Sequence, residues 1–235
     1  MRDWRKQHGQ AIAAFVKYLN AKGENFILKG GTALALCYRL DRFSEDIDLD
    51  GRVKGLTALV DSFCAESGYT YRVAKDTATV ERCFINYGND RRPLKIEASY
   101  RRIEIPAEET DTVNGIKVYK IEPLCVMKVN AYAGRDKIRD LYDLTFICNN
   151  YFDRLSRQTV ALLRGAVEHK GIGQFDYIIK NQPDALIDSD KLAGDFLEMY
   201  DKLGLLLDEN ERELLENIPE NGEYDGPEDE DEWEQ

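Results

Sequence analysis

Residues 26 to 51 change chemistry in an order that few folds can accommodate. Phe26-Ile27-Leu28 is a short apolar run, Gly30-Gly31 follows closely, and Thr32 to Tyr38 has helical character. Ile47 and Leu49 then alternate with Asp46, Asp48 and Asp50. Strict alternation marks a strand with one buried face. The segment therefore reads as strand, glycine-opened helix, strand, closed by Gly51, with its carboxylates on one face. Asp46 and Asp48 lie two apart, about 7 Å along the backbone. Side chains at that spacing can converge on two cations about 3.5–4 Å apart. The glycine pair lets backbone approach a phosphate, and the helix N-terminus behind it offers N–H groups and the positive end of the dipole. Ser44 can donate its hydroxyl to a phosphate oxygen, and Arg39 and Arg42 flank the same stretch. These are the parts needed to hold a nucleoside triphosphate and two metal ions.

The rest of the chain divides by period. Ile12, Phe15, Val16 and Leu19 recur at helical spacing before Gly23, and Leu56, Leu59, Val60, Phe63 and Cys64 do so before Gly68. Tyr69 to Val73, Glu81 to Tyr87 and Leu94 to Tyr100 read as strands, with a turn at Gly88-Asn89-Asp90. Asn114-Gly115 is a hairpin signal with Ile116 to Ile121 as its outgoing strand. From Pro123 onward the period is helical: Leu124 to Ala133, Ile138 to Cys148, Leu155 to Glu168 and Lys191 to Leu205. The expected organisation is a mixed α/β domain over residues 1–121, a helical domain over 122–219 and a disordered acidic tail over 220–235.

The tail distorts the overall charge of -12. Residues 220–235 hold nine acids and no base, so the remainder carries 35 acids against 32 bases. The body is nearly balanced, and its acidity does not exclude a nucleic-acid partner. No apolar run approaches the ~20 residues of a membrane span, and no secretory signal is legible; the expectation is a cytoplasmic protein. Five scattered cysteines form no Cys-x-x-Cys, so they read as small core residues rather than a zinc or disulfide framework. Two histidines, His8 and His169, exclude chemistry that needs several imidazoles.

Many two-metal transferases need a third acid, which completes the cation site and takes the proton from the attacking hydroxyl. Glu97 alternates with buried-type Ile96 and Ala98, so it points away from the core with Lys95 and Ser99. Lys128, Ala131 and Arg135 are spaced to share a helix face on which a triphosphate could lie. Asp136, Asp140 and Asp143 fall on another face; Asp136, Lys137 and Arg139 read as a salt-bridged surface.

These residues resemble the AbiEii/AbiGii-type nucleotidyltransferase toxins of the DNA-polymerase-β-like superfamily. The matching blocks are Gly30-Gly31-Thr32-Ala33-Leu34, Arg42 to Leu49, Ile96-Glu97-Ala98-Ser99, Lys128 to Ala131 with Arg135, and Arg139 to Leu144, together spanning roughly residues 10 to 150. The resemblance implies an α+β fold: a polymerase-β-like mixed sheet with helices, then an α-helical domain closing the cleft. It implies transfer of a nucleoside monophosphate from an NTP, with Mg²⁺ (or Mn²⁺), to an acceptor that in related toxins is a tRNA 3′ end. A cognate antitoxin and a role in toxin–antitoxin or phage-defence systems come with it. Asp46, Asp48 and Glu97 would bind metal. Gly30, Gly31, Thr32, Arg42, Ser44, Lys128 and Arg135 would bind the nucleotide, and Asp140 would belong to the last catalytic motif. Fourteen residues separate Gly31 from Asp46, longer than is usual in the wider superfamily, and the acidic tail has no counterpart there. Two other readings stay open on the motifs: an enzyme that modifies a protein hydroxyl, as in AMPylation, and a non-catalytic nucleotide-binding module. An RNA acceptor would need a basic surface, for which Arg91-Arg92, Arg101-Arg102 and Lys128 to Arg139 are the candidates.

Overall fold

A computed structural model describes residues 4–22, 25–88 and 92–206. The positions assigned above to Gly23, Asn89, Asp90, Arg91 and the acidic tail lie outside these residues. Helix α1 (Trp4–Lys22) leads into β1 (Phe26–Lys29), helix α2 (Gly30–Cys37) and β2 (Asp46–Gly51). Then come α3 (Leu56–Ser67), β3 (Thr70–Asp76), β4 (Val80–Asn86) and β5 (Leu94–Ser99). A hairpin of β6 (Thr110–Val113) and β7 (Ile116–Tyr119) closes the strand-bearing half. Helices α4 (Ile121–Gly134), α5 (Ile138–Tyr151), α6 (Arg157–Asn181) and α7 (Ser189–Lys202) follow.

The strands form one mixed sheet in the order β3-β4-β5-β2-β1-β7-β6. Strand β2 lies at its centre, antiparallel to β1 and parallel to β5. One face is apolar. Leu28, Ile47, Leu49, Ile96 and Ala98 are buried there under α1 and α3, and Phe15 of α1 meets Phe63 of α3 edge-on at 5.1 Å. Glu81 also points to this side, where it accepts hydrogen bonds from the Leu56 and Gly55 amides and the Tyr100 hydroxyl, satisfying the N-terminus of α3. The opposite face carries the charged residues of β1, β2, β4 and β5, because cross-strand partners share a face and every second residue alternates.

The fold class expected from the sequence is the one observed, with several shifted boundaries. The strand after Asn114-Gly115 stops at Tyr119, and α4 starts at Ile121. Pro123 therefore falls in the first turn, where a missing N–H costs nothing because no helical partner exists for it. Asn114 and Gly115 both take positive φ, 52° and 78°, as a tight two-residue hairpin requires. Helix α6 runs well past Glu168, to Asn181, bending at Gly171. Helix α7 begins where the Asp188 carboxylate caps the Asp190 and Lys191 amides. Helix α4 ends at Gly134, and Arg135 is extended, so Arg135 and Asp136 belong to the α4–α5 link rather than to a helix face. No helix among the described residues is long and apolar enough to cross a membrane.

Candidate active site

Strand register assembles the charged face. Asp46 lies opposite Lys95, Asp48 opposite Glu97 and Asp50 opposite Ser99; on the other flanks, Lys29 pairs with Asp48 and Arg82 with Glu97. A row of four side chains, Arg82, Glu97, Asp48 and Lys29, thus crosses four strands. Asp50 is set apart from the other carboxylates by its partners. It is buried, 2.6 Å from Lys29 Nζ and 2.8 Å from the Tyr119 hydroxyl, so it braces the sheet.

Asp48 has the opposite character. Its carboxylate makes no hydrogen bond or ion pair among the described residues. Burial pushes its pKa above the usual carboxylate range; the charges of Asp46 and Glu97 push the same way, against the pull of Lys95 and Lys29. It lies directly against Gly30. A Cβ placed on Gly30, whose φ is 71°, would sit 2.7 Å from Asp48 Oδ2. At Gly31 a Cβ would come 2.8 Å from Arg42 Nη2 and 3.0 Å from Ser44 Oγ. Both glycines are therefore needed for close packing around the carboxylate and the loop before β2. Helix α2 starts here with no side-chain cap, which leaves its first amides able to meet an anion.

The loop before β2 is held from several directions. The Thr32 hydroxyl donates to the Asp46 carbonyl and lies 2.9 Å from Ser44 Oγ. Arg42 is buried and donates twice to Asp143 of α5, through Nε and Nη2, both at 2.7 Å. Its guanidinium is thus engaged within the protein. His8 donates from Nε2 to the Glu45 carbonyl at 2.7 Å, and Nδ1 pairs with the Tyr87 hydroxyl at 2.6 Å, a structural role. Arg92 and Arg139 both reach the Glu45 carboxylate, and Arg139 also reaches Asp184, as a salt-bridged surface should.

The helical half brings Lys128 and Arg135 to two buried acids. Lys128 Nζ is 2.6 Å from Asp143 and 3.2 Å from Asp140; Arg135 Nε is 2.7 Å from Asp140. Burial alone would raise the Asp140 pKa, but Arg135 and Lys128 outweigh it and hold the carboxyl below its usual range. Asp140 raises the Arg135 pKa, with a smaller contribution from the charge of Asp48, although Arg135 is not on α4. Asp140 thus holds both cations, and Asp143 links Lys128 to Arg42, whose Nη2 lies beside Gly31.

The donor set Asp46, Asp48 and Glu97 is all hard oxygen, which suits Mg²⁺ or Mn²⁺, and the isolated Asp48 carboxylate fits a cation. The three acids are not gathered around one point, however. Among the described residues no cluster of three acids, histidines or cysteines is arranged to hold a metal ion. Lys95 Nζ holds Asp46 Oδ2 at 2.9 Å, and Arg82 Nε holds Glu97 Oε2 at 2.5 Å. Lys95 is a resident cation: burial works against its charge, but Asp46 and the neighbouring acids raise its pKa. A divalent ion at Asp46 must compete with it. Lys95→Met is therefore expected to tighten Mn²⁺ binding, measured by electron paramagnetic resonance, by about tenfold, or ~1.4 kcal/mol. Unchanged or weaker binding would show that Lys95 does not compete.

The sequence places Lys95 on the Glu97 face and Asp143 on the Asp140 face without giving either a role, and offers no sign of Arg82. Spacing on β5 could have found Lys95. Arg82 and Asp143 needed, respectively, the β4–β5 register and the docking of α5, neither of which is local.

A helix opened by two glycines beside carboxylates on adjacent strands is the arrangement expected of a nucleotidyltransferase. The chain belongs to the AbiEii family, nucleotidyl transferase toxins of type IV toxin–antitoxin systems, whose model matches residues 15–220. That membership implies an antitoxin partner. No curated protein matches the chain. The structure resembles that of JHP933 from Helicobacter pylori, with a TM-score of 0.71 and 27% identity over 92% of this chain and 98% of that one. A candidate nucleotidyltransferase from H. pylori gives a TM-score of 0.71 and 26% identity over 93% and 100% of the respective chains.

Proposed function

We propose that this protein transfers a nucleoside monophosphate from an NTP to a hydroxyl at the 3′ end of an RNA, with tRNA as the acceptor class, and that this is its toxic activity. The observation that carries the reading is the pairing of an unpartnered, half-buried Asp48 with the uncapped start of α2. One attracts cations and the other anions, side by side, as a metal-bound triphosphate requires. The amides of Gly30 and Gly31, the Ser44 hydroxyl, Lys128 and Arg135 hold the phosphates. Thr32 and Arg42 position the Ser44–Asp46 loop, and Asp140 orients Lys128 and Arg135. Asp46, Asp48 and Glu97 would hold Mg²⁺ or Mn²⁺ once Asp46 is released from Lys95 and Glu97 from Arg82, and the ion would supply charge neutralisation at the transferred phosphoryl group. In the transfer the acceptor oxygen bonds to the α-phosphorus and the bond from that phosphorus to the bridging oxygen breaks. Pyrophosphate leaves, and the acceptor proton passes to Glu97.

The test is incubation of the protein and Mg²⁺ with each α-labelled NTP against total RNA and total protein. Label is expected in RNA of tRNA size and to be lost on RNase treatment. Label that stays with protein after RNase would establish a protein acceptor instead. Tight NTP binding with no transfer to either pool would establish a binding module.

A further inference from the structure

The Asp50 end of the carboxylate row opens into a groove of about 1280 Å³ that the donor side chains do not line. Lys29, Asp50 and Ser99 form its head, one step along the strands from Asp48 and Glu97. From there it runs between the segment after β5, the first turns of α4 and the start of α6. Several of its charges are satisfied internally: Lys29 by Asp50, Arg102 by Glu109, and Glu122 by the Ser156 amide and Thr159 hydroxyl. Three cations are not. Among the described residues the exposed side chains of Arg101, Lys120 and Arg154 have no ion pair or hydrogen bond; Arg154 lies 5.7 Å from the Tyr151 ring and near Tyr38. Among the described lining residues Glu108 is the one carboxylate left to oppose them. Pro123, Met127 and the exposed Leu162 supply an apolar wall.

Unpaired cations spaced along an apolar-walled channel suit a strand of phosphodiesters with unstacked bases, since guanidinium planes and apolar side chains accept base faces while the charges track the backbone. The volume exceeds the roughly 300–1,000 Å³ of a single small-molecule pocket. Direction favours the acceptor over the donor. The attacking and leaving oxygens of a phosphoryl transfer lie roughly in line. The groups that would hold the leaving pyrophosphate, at the start of α2 and on Lys128 and Arg135, are distinct from the groove, which meets the row at Asp50. An acceptor hydroxyl coming along the groove would reach the row from that end.

We propose that this groove seats the single-stranded 3′-terminal nucleotides of the RNA acceptor, with Arg101, Lys120 and Arg154 along its backbone. The inference rests on the RNA-acceptor reading above. It is tested by fluorescence anisotropy of the full chain with a short single-stranded RNA that carries 5′-fluorescein and a free 3′ hydroxyl. Binding of a non-transferable NTP analogue is measured in parallel by calorimetry. The R101E/K120E double variant changes only exposed side chains, and Leu162→Glu introduces a charge into the apolar wall. Both are expected to weaken RNA binding by about tenfold or more, the double variant with a salt dependence shallower by about one or more counterions, while binding of the NTP analogue is unchanged. Wild-type RNA affinity in both variants, alongside a wild-type enzyme that labels RNA, overturns the groove assignment and leaves the transferase reading standing. Loss of analogue affinity rather than RNA affinity overturns it by placing the donor nucleoside there. A wild-type enzyme that labels protein and not RNA removes both the acceptor reading and this inference.

Discussion

Asp48→Asn should lower nucleotide transfer by about a thousandfold or more, since one preorganised charge at a transferred phosphoryl group is worth several kcal/mol. The same substitution should make the metal-free protein more stable. Burial, with Asp46 and Glu97 beside it, raises the Asp48 pKa in the folded chain. A raised pKa means that the folded state binds this proton more tightly than the unfolded state does. Its contribution to stability is complete below the unfolded carboxylate pKa and is lost as pH rises through the folded value. Wild-type Asp48 loses that contribution as pH rises, whereas Asn stays neutral at every pH. Thermal melts without divalent ions should therefore show a higher midpoint for Asp48→Asn. Adding Mn²⁺ should raise the wild-type midpoint, because it binds the folded state, and leave the variant nearly unmoved. A destabilised metal-free variant, or one with full transfer activity, would contradict the placement of Asp48 as an uncompensated ligand.

Asp143→Asn should have the largest effect on stability. Asp143 is fully buried and receives two hydrogen bonds from buried Arg42 and an ion pair from Lys128. Removing one partner of a buried pair leaves the other charge without compensation, at a cost of about 3–5 kcal/mol. For a chain of this size that corresponds to a fall of roughly 10 °C in the melting midpoint. The double variant Arg42→Met/Asp143→Leu should recover much of that stability, since paired apolar replacements remove the unmet charge. It should not recover transfer, because the loop carrying Ser44 and Asp46 is then no longer tied to α5. A loss below ~1 kcal/mol in Asp143→Asn would mean that Arg42 finds another partner in the folded chain.

Local periodicity was enough to locate nearly every strand and helix, and to put Asp46, Asp48 and Glu97 on faces turned from the core. That information lies within a few residues, because alternation along a strand and the three-to-four spacing of a helix are short-range consequences of backbone geometry. It failed at element ends, where Pro123 could be read as a start rather than as part of a first turn. It also failed at Arg135, where apparent helical spacing ran across the end of α4.

What those residues face was decided by tertiary structure. Three aspartates alternate identically along β2, yet Asp50 became a brace for Lys29 and Tyr119, Asp46 was taken up by Lys95, and Asp48 was left without a partner among the described residues. Nothing local distinguishes the three. The difference comes from strand order, which sets β1 and β5 beside β2, and from burial, which makes an unpaired carboxylate costly and so able to attract a cation. Arg42 met Asp143 across a hundred residues for the same reason: long-range packing chooses partners, and sequence spacing does not.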